Sequence, residues 1–212
     1  MLRYTEVAWD FDGTLYHSYP HIIRSMRRAM NLFGVDDSPE NISSYVRVTA
    51  SHAMKHYAPL CHVEYDEFRS WYRTIVNRTS DDVQLYPGIR ELLVDIVKAG
   101  GRNHLCTNRQ KGTGEVYLER DGLMPYFDCL ASATPGVEIK PAPGLVQMIL
   151  DHTGASPDRL IMIGDRPLDH EAAHAAGCAG CFFDPDRSAP QIPPVEYVAD
   201  SVEDLRRILL GE

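Results

Sequence analysis

No segment of this chain is apolar for the length that a bilayer crossing demands, which excludes a spanning helix. The opening residues, Met1-Leu2-Arg3-Tyr4-Thr5-Glu6, lack the apolar stretch of a secretory leader and lead directly into a short apolar run. Positive charge is in short supply: 21 Lys and Arg face 30 Asp and Glu, a formal charge of −9. A field of that sign repels nucleic acid and anionic membrane, so neither is expected as a partner. Cysteine is sparse, and five is an odd number that makes no disulfide framework. Cys178 and Cys181 match C-x-x-C, but they lie between a helix stop at Gly177 and the apolar pair Phe182-Phe183. A reactive pair of that kind opens a helix after a strand, so these two are read as structural thiols. Internal repeats and low-complexity segments are absent as well. What remains is the profile of a cytoplasmic globular protein, a monomer or small homo-oligomer.

The 212 residues are 44% hydrophobic and 24% charged, enough to bury one core with a modest insertion. Val7-Ala8-Trp9 reads as the end of a buried strand. The pattern then turns helical: Ile22, Ile23, Met26, Met30 and Phe33 fall at helical spacing up to a stop at Gly34. Ser38-Pro39-Glu40 reads as an N-cap with proline at the first helical position, opening a helix that runs to about Tyr57. A third helix spans roughly Tyr65 to Asn77. From Tyr86-Pro87-Gly88 onward, helices and strands alternate. Strands are expected up to Thr107, near Cys129, at Leu160 to Ile163, at Ala179 to Phe183 and at Glu196 to Ala199. A proline-rich surface loop covers Ser188 to Pro194. Such alternation predicts an α/β fold, a Rossmann-like parallel sheet with helices on both faces, interrupted by an inserted helical segment. The expected boundaries are 1–16 with 85–212 for the α/β part and 17–84 for the insert.

The strongest chemical signal is Asp10-Phe11-Asp12-Gly13-Thr14-Leu15, directly after the first strand. Burying charge costs several kcal/mol unless a metal or counter-ion compensates. Two carboxylates at a strand end therefore suit a hard, oxygen-seeking cation such as Mg²⁺, and ligands bind at the carboxyl ends of strands in open α/β sheets. The bland alternative is an Asp-rich turn with Gly13 at positive φ. Three further segments follow in order: Leu105-Cys106-Thr107-Asn108, then Ile139-Lys140-Pro141, then Leu160-Ile161-Met162-Ile163-Gly164-Asp165-Arg166-Pro167-Leu168-Asp169. Together the four resemble the motifs of the haloacid dehalogenase-like hydrolase superfamily, over essentially the whole chain. The insert resembles that superfamily's helical type-one cap, and the set is similar to its phosphoglycolate phosphatase-like members.

The resemblance implies roles. Asp10 would be the nucleophile that forms an aspartyl-phosphate, and Asp12 the acid that protonates the leaving oxygen and then deprotonates water. Thr107, with backbone N–H groups after the nucleophile such as that of Gly13, would hold phosphoryl oxygens. Lys140 would neutralise them and position Asp10. Mg²⁺ would bind Asp10, the Asp12 carbonyl and Asp165, with Asp169 completing the shell. Asn108, Arg109 and, in the cap, Arg47 are candidate substrate contacts. Each residue also has an ordinary reading: Thr107 as a helix cap, Lys140 as a loop lysine, Asp165 as a turn residue, Asp169 as a first-turn acid, Arg47 as a solvated side chain. Superfamily dehalogenases lack the second aspartate, so Asp12 points to a phosphate ester: a small phosphorylated metabolite. A phosphosugar mutase would keep Asp12 too, and a non-catalytic binding protein of the same fold is the third possibility. The insert departs from the family in having His17 where an acid is common, and no glycine over 47–52. His52 and His56, with Cys61 and His62 nearby, have a spacing that can bind zinc, although Pro59 intervenes and no partner pair is evident.

Overall fold

The apolar run before Asp10 forms the first strand, β1 (Glu6–Trp9), with every residue buried. It lies mid-sheet, parallel to β4 (Arg102–Gln110) on one side and to β6 (Leu160–Gly164) on the other. The computed structural model of the protein describes residues 2–78, 82–187, 189 and 191–211, so Ser188 and Pro190 of the proline-rich loop lie outside the described residues. With β5 (Phe127–Ala133), β7 (Ala179–Phe183) and β8 (Tyr197–Ala199), the sheet runs β5-β4-β1-β6-β7-β8, and every neighbouring pair is parallel. Central strands of this kind are buried on both faces and need continuous apolar sequence, as Leu160-Ile161-Met162-Ile163 supplies. Between the strands run α5 (Ile89–Lys98), α6 (Glu115–Arg120), α7 (Gly144–Thr153), α8 (Pro167–Ala175) and the closing α9 (Val202–Leu210). One core joins Ala8, Cys106, Ala131 and Met162 of the sheet to Leu145, Val146 and Ile149 of α7 and Ala172 and Ala173 of α8. The buried polar groups of Trp9 and Asn103 are matched: Trp9 Nε1 donates to Asn103 Oδ1 at 3.0 Å, and Asn103 Nδ2 donates to the Leu93 and Tyr126 carbonyls.

The chain divides into two compact units, 1–16 with 85–212, and 17–84. The described residues of the second are mainly helical: α1 (Tyr19–Asn31), α2 (Pro39–Val48), α3 (Ala50–Leu60) and α4 (Tyr65–Arg78). Its core joins Ile22, Met26 and Met30 of α1 to Ile42, Met54, Tyr57, Phe68 and Tyr72. Ser38 caps α2 through its hydroxyl, which accepts from Asn41 N at 3.1 Å. The single helix expected from Ser38 to Tyr57 is broken at Thr49, whose backbone is extended (φ −164°, ψ 155°) and whose hydroxyl accepts from His52 N at 2.9 Å. Threonine is a good N-cap and a poor helix interior residue, so the chain restarts there. Two further strands of two residues each, β2 (Tyr16–His17) and β3 (Gln84–Leu85), pair with one another and leave no periodic signal in the sequence.

Candidate active site

The β1 ladder extends one step past the strand, because Asp10 N donates to the Ile163 carbonyl at 2.9 Å. That bond fixes Asp10 at the carboxyl edge of the sheet, 1% exposed. The chain then folds back: Tyr16 N donates to the Phe11 carbonyl and Gly13 N to the Tyr16 carbonyl. Gly13 sits at φ 78°, a conformation that disfavours a side chain. Its N–H, expected at a phosphoryl oxygen, is used inside this turn instead.

Lys140, 2% exposed, reaches the same edge. Its Nζ lies 2.8 Å from Asp10 Oδ1 and 2.5 Å from Asp169 Oδ1, and donates to the Cys106 carbonyl at 2.6 Å. Burial works against the charged amine, but Asp10 and Asp169 outweigh it and hold Lys140 protonated beyond the ordinary lysine range. Asn108 was expected to touch substrate. Both ends of its amide are engaged by the Lys140 backbone: Nδ2 donates to the carbonyl at 2.8 Å and Oδ1 accepts from the N–H at 2.9 Å. It therefore holds the Lys140 segment against β4.

Thr107 was expected to end its strand. β4 instead continues to Gln110, and its register against β5 jumps from Thr107↔Ser132 to Gln110↔Ala133. Asn108 and Arg109 occupy this bulge, which turns their side chains away from the ladder pattern. The Thr107 hydroxyl is buried and accepts from Arg109 N at 3.2 Å. The Arg109 guanidinium forms a fork on Asp12, Nε to Oδ2 at 2.8 Å and Nη2 to Oδ1 at 2.7 Å.

Asp165 follows Gly164 at the end of β6, and Asp169 lies in the first turn of α8, where its Oδ2 accepts from Arg166 N at 3.1 Å. A Cβ on Gly164 would meet Asp169 Cβ, Cγ and Oδ2 at 2.5 Å, so only glycine admits Asp169 to this position. Asp10, Asp165 and Asp169 each offer a carboxylate oxygen within 4.8 Å of the others, all three buried. Burial is the largest influence on the Asp10 carboxyl and pushes it up, Asp169 and Asp12 add to this, and Lys140 and Arg166 pull it down; the net direction is up. Asp10 is thus short of positive charge even beside Lys140 and Arg166. An all-oxygen donor set in that condition fits a hard divalent cation. Arg166, which the sequence reading passed over, brings Nη2 to 3.5 Å from Asp10 Oδ2 and Nε to 3.9 Å from Asp165 Oδ1. Its place beside Asp165 in sequence was the available signal.

The aspartate triad is the one such metal-ligand cluster among the described residues. His52 and His56 stack instead on Tyr45, with ring centroids 5.8 and 3.9 Å away. Cys178 and Cys181 are buried free thiols, pushed up by burial to about 11 and about 12, which suits a structural and not a redox role. In the helical unit, Arg47 lies in the last turn of α2 with its guanidinium 4.2 Å from the Tyr19 ring centroid. No helix is long and apolar enough to cross a membrane among the described residues.

Haloacid dehalogenase-like hydrolase sequences match residues 7–182. The chain belongs to the haloacid dehalogenase-like hydrolase family. Within that family it is an enzyme of the phosphoglycolate phosphatase-like kind. It is 25% identical to a phosphoglycolate phosphatase of Vibrio parahaemolyticus, over 96% of this chain and 95% of that protein. It is 31% identical to the phosphoglycolate phosphatase of Chromobacterium violaceum, over 82% of each. A crystal structure of a predicted phosphoglycolate phosphatase from Haemophilus somnus shares the fold, with a TM-score of 0.83 at 23% identity, covering 98% of this chain and 99% of that one.

Proposed function

We propose that this hydrolase is a Mg²⁺-dependent phosphatase that releases phosphate from a small phosphorylated metabolite through an aspartyl-phosphate on Asp10. One observation carries the reading: a buried Asp10 carboxylate held by Lys140 at 2.8 Å, within 4.8 Å of two further carboxylates, with Asp12 two residues on. Asp10, Asp165 and Asp169, with the Asp12 carbonyl, would hold the cation, which when bound offsets the repulsion between these acids and a phosphate dianion. Two unit charges ~4 Å apart cost about 4 kcal/mol at an effective dielectric near 20, so the offset decides whether phosphate binds.

The residues divide the reaction. Lys140 holds Asp10 Oδ1, and Oδ2, with Arg166 Nη2 3.5 Å away, is the oxygen that attacks phosphorus. A P–O bond forms to Asp10 while the bond to the leaving oxygen breaks, and that oxygen takes a proton from Asp12. Water then attacks the phosphoryl-enzyme, Asp12 takes its proton, and inorganic phosphate leaves with Asp10 regenerated. Thr107 accepts from Arg109 N and keeps its hydroxyl proton for a phosphoryl oxygen. The helical unit over 17–84 acts as the cap that sets substrate choice, with Arg47 as its candidate anion contact. Five free thiols suit a reducing compartment, and we place the protein in the cytoplasm.

The test is phosphate release from 4-nitrophenyl phosphate with added Mg²⁺, followed by a screen of phosphorylated metabolites. Release abolished by EDTA supports the reading, and full activity in chelator refutes the metal assignment. Isomerisation of a sugar phosphate without net phosphate release would make the protein a mutase.

A further inference from the structure

We propose that Arg109 is the positioning residue for Asp12, aiming the carboxyl group that moves the proton without itself touching substrate. The proposal rests on the reading of Asp12 as acid and base given above. Asp12 lies past the end of β1, in the turn that Gly13 closes. Its direction is set by the Arg109 fork, at 2.8 and 2.7 Å on its two oxygens. A bidentate fork fixes the plane of a carboxylate as well as its distance.

The fork is itself held on three sides. The guanidinium carbon lies 4.3 Å from the centroid of Phe11 and 5.7 Å from that of Tyr117. Phe11 is stacked on Tyr16 at 4.4 Å and meets Tyr117 edge-on at 5.3 Å, so the platform is a packed aromatic cluster. The Arg109 backbone is pinned in the β4 bulge by Thr107 Oγ1. Phe11 and Asp12 come from the turn after β1, Thr107 and Arg109 from β4, and Tyr117 from α6. The clamp therefore ties the proton-transfer group to the strand that carries the expected phosphoryl contact. Clamping does not block the chemistry, because the fork uses one lone pair on each oxygen and an ionised carboxylate offers about four. The travelling proton has a site on either oxygen, both in leaving-group departure and in the attack of water.

A clamp and a substrate contact differ in how a variant responds to the leaving group. A nitrophenolate departs with little help from an acid, whereas an alkoxide needs its proton. The experiment is kcat/KM, which reports the first phosphoryl transfer, measured with Mg²⁺ on 4-nitrophenyl phosphate, phenyl phosphate and glycerol 2-phosphate. The proteins are wild type, Asp12→Asn, Arg109→Ala, Arg109→Lys and the double variant Asp12→Asn/Arg109→Ala. Asp12→Asn should lose about 10²-fold or more on glycerol 2-phosphate, and far less on the nitrophenyl ester. Arg109→Ala should reproduce that slope with a loss of about 10²-fold on the alkyl ester, the scale of a misplaced catalytic group. Arg109→Lys keeps the charge without the fork and should stay steep, which also preserves the test if the alanine variant does not fold. The double variant should lose little beyond Asp12→Asn. Equal losses on all three esters in the Arg109 variants, full rescue by lysine, or additive losses in the double variant would each overturn the clamp. If Asp12→Asn is itself insensitive to the leaving group, the acid reading of Asp12 falls and the clamp with it. If only the Arg109 variants are insensitive, Asp12 keeps its role and the clamp alone is wrong.

Discussion

In the α/β unit, Glu6, Asp10, His104, Lys140, Asp165 and Asp169 are all buried, and each lies within 4 Å of an opposite charge or of an imidazole. Among the described residues of the helical unit, no Asp, Glu, Lys or Arg is buried, and its ion pairs, such as Arg24–Asp82 and Arg27–Asp36, stand in solvent. The two units thus use different materials. The helical unit is held by apolar contacts around Ile42, Tyr57 and Phe68, which require only volume and periodicity. The α/β unit accepts the cost of desolvating charge in two places, and they lie at opposite ends of its strands. At the carboxyl edge the buried acids and Lys140 form the candidate active site. At the amino edge, Glu6 takes hydrogen bonds from Arg102 at 2.8 Å and pairs with His104 at 2.8 Å, a contact that serves the sheet alone. Buried charge is therefore the mark of the chemistry only where a second acid and an oxygen-donor cluster accompany it.

The comparison breaks or sharpens under substitution. The largest effect is expected at the proposed nucleophile: Asp10→Asn should lower phosphate release by at least about 10⁴-fold, because an amide does not attack phosphorus. Circular dichroism should show the fold retained, and a rate within tenfold of wild type would remove Asp10 from the reaction. Next, Phe68→Ala should destabilise the helical unit by about 3–5 kcal/mol, read by urea unfolding. Its kcat on 4-nitrophenyl phosphate per folded molecule should hold, and a large fall would show that the chemistry depends on that apolar core.

Much of this was legible in the sequence, and the illegible part has a common cause. Asp10 and Asp12 were visible because Val7-Ala8-Trp9 leads straight into them, and Ser38 because a serine before proline caps a helix with local bonds alone. The parallel α/β fold followed from the alternation itself. The Arg109–Asp12 fork joins residues 97 apart and the Asn108–Lys140 pair residues 32 apart, and both depend on the register of β1, β4 and the bulge at 108–109. One sequence carries no record of such register. The break at Thr49 was hidden for the opposite reason: both flanking segments keep the helical period, and the change is one residue's backbone angles.

Two smaller effects refine the contrast. Burial alone would push the Glu6 carboxyl up, but the hydrogen bonds from Arg102 and His104 outweigh it and hold the group below its ordinary range. A depressed carboxyl contributes stability that is present above the unfolded-state pKa, near 4.3, and lost as pH falls through the folded one. Glu6→Gln should cost about 2 kcal/mol at neutral pH and flatten the acid limb of a stability-against-pH curve. An unchanged acid limb would mean that other groups set it. Smallest, Arg47→Ala should raise KM for the natural substrate roughly tenfold, the loss of one charged hydrogen bond, with 4-nitrophenyl phosphate little affected. Equal losses on both substrates would assign Arg47 to the stability of its own helix pair.

The central claim is covalent catalysis at a buried aspartate beside a lysine, and trapping the intermediate tests it most directly. Enzyme quenched during turnover of 4-nitrophenyl phosphate with Mg²⁺ and reduced with borohydride should carry homoserine in place of aspartate in the peptide containing Asp10, and nowhere else. Continued phosphate release with that peptide unmodified, or with the modification at Asp12, Asp165 or Asp169, would contradict the account.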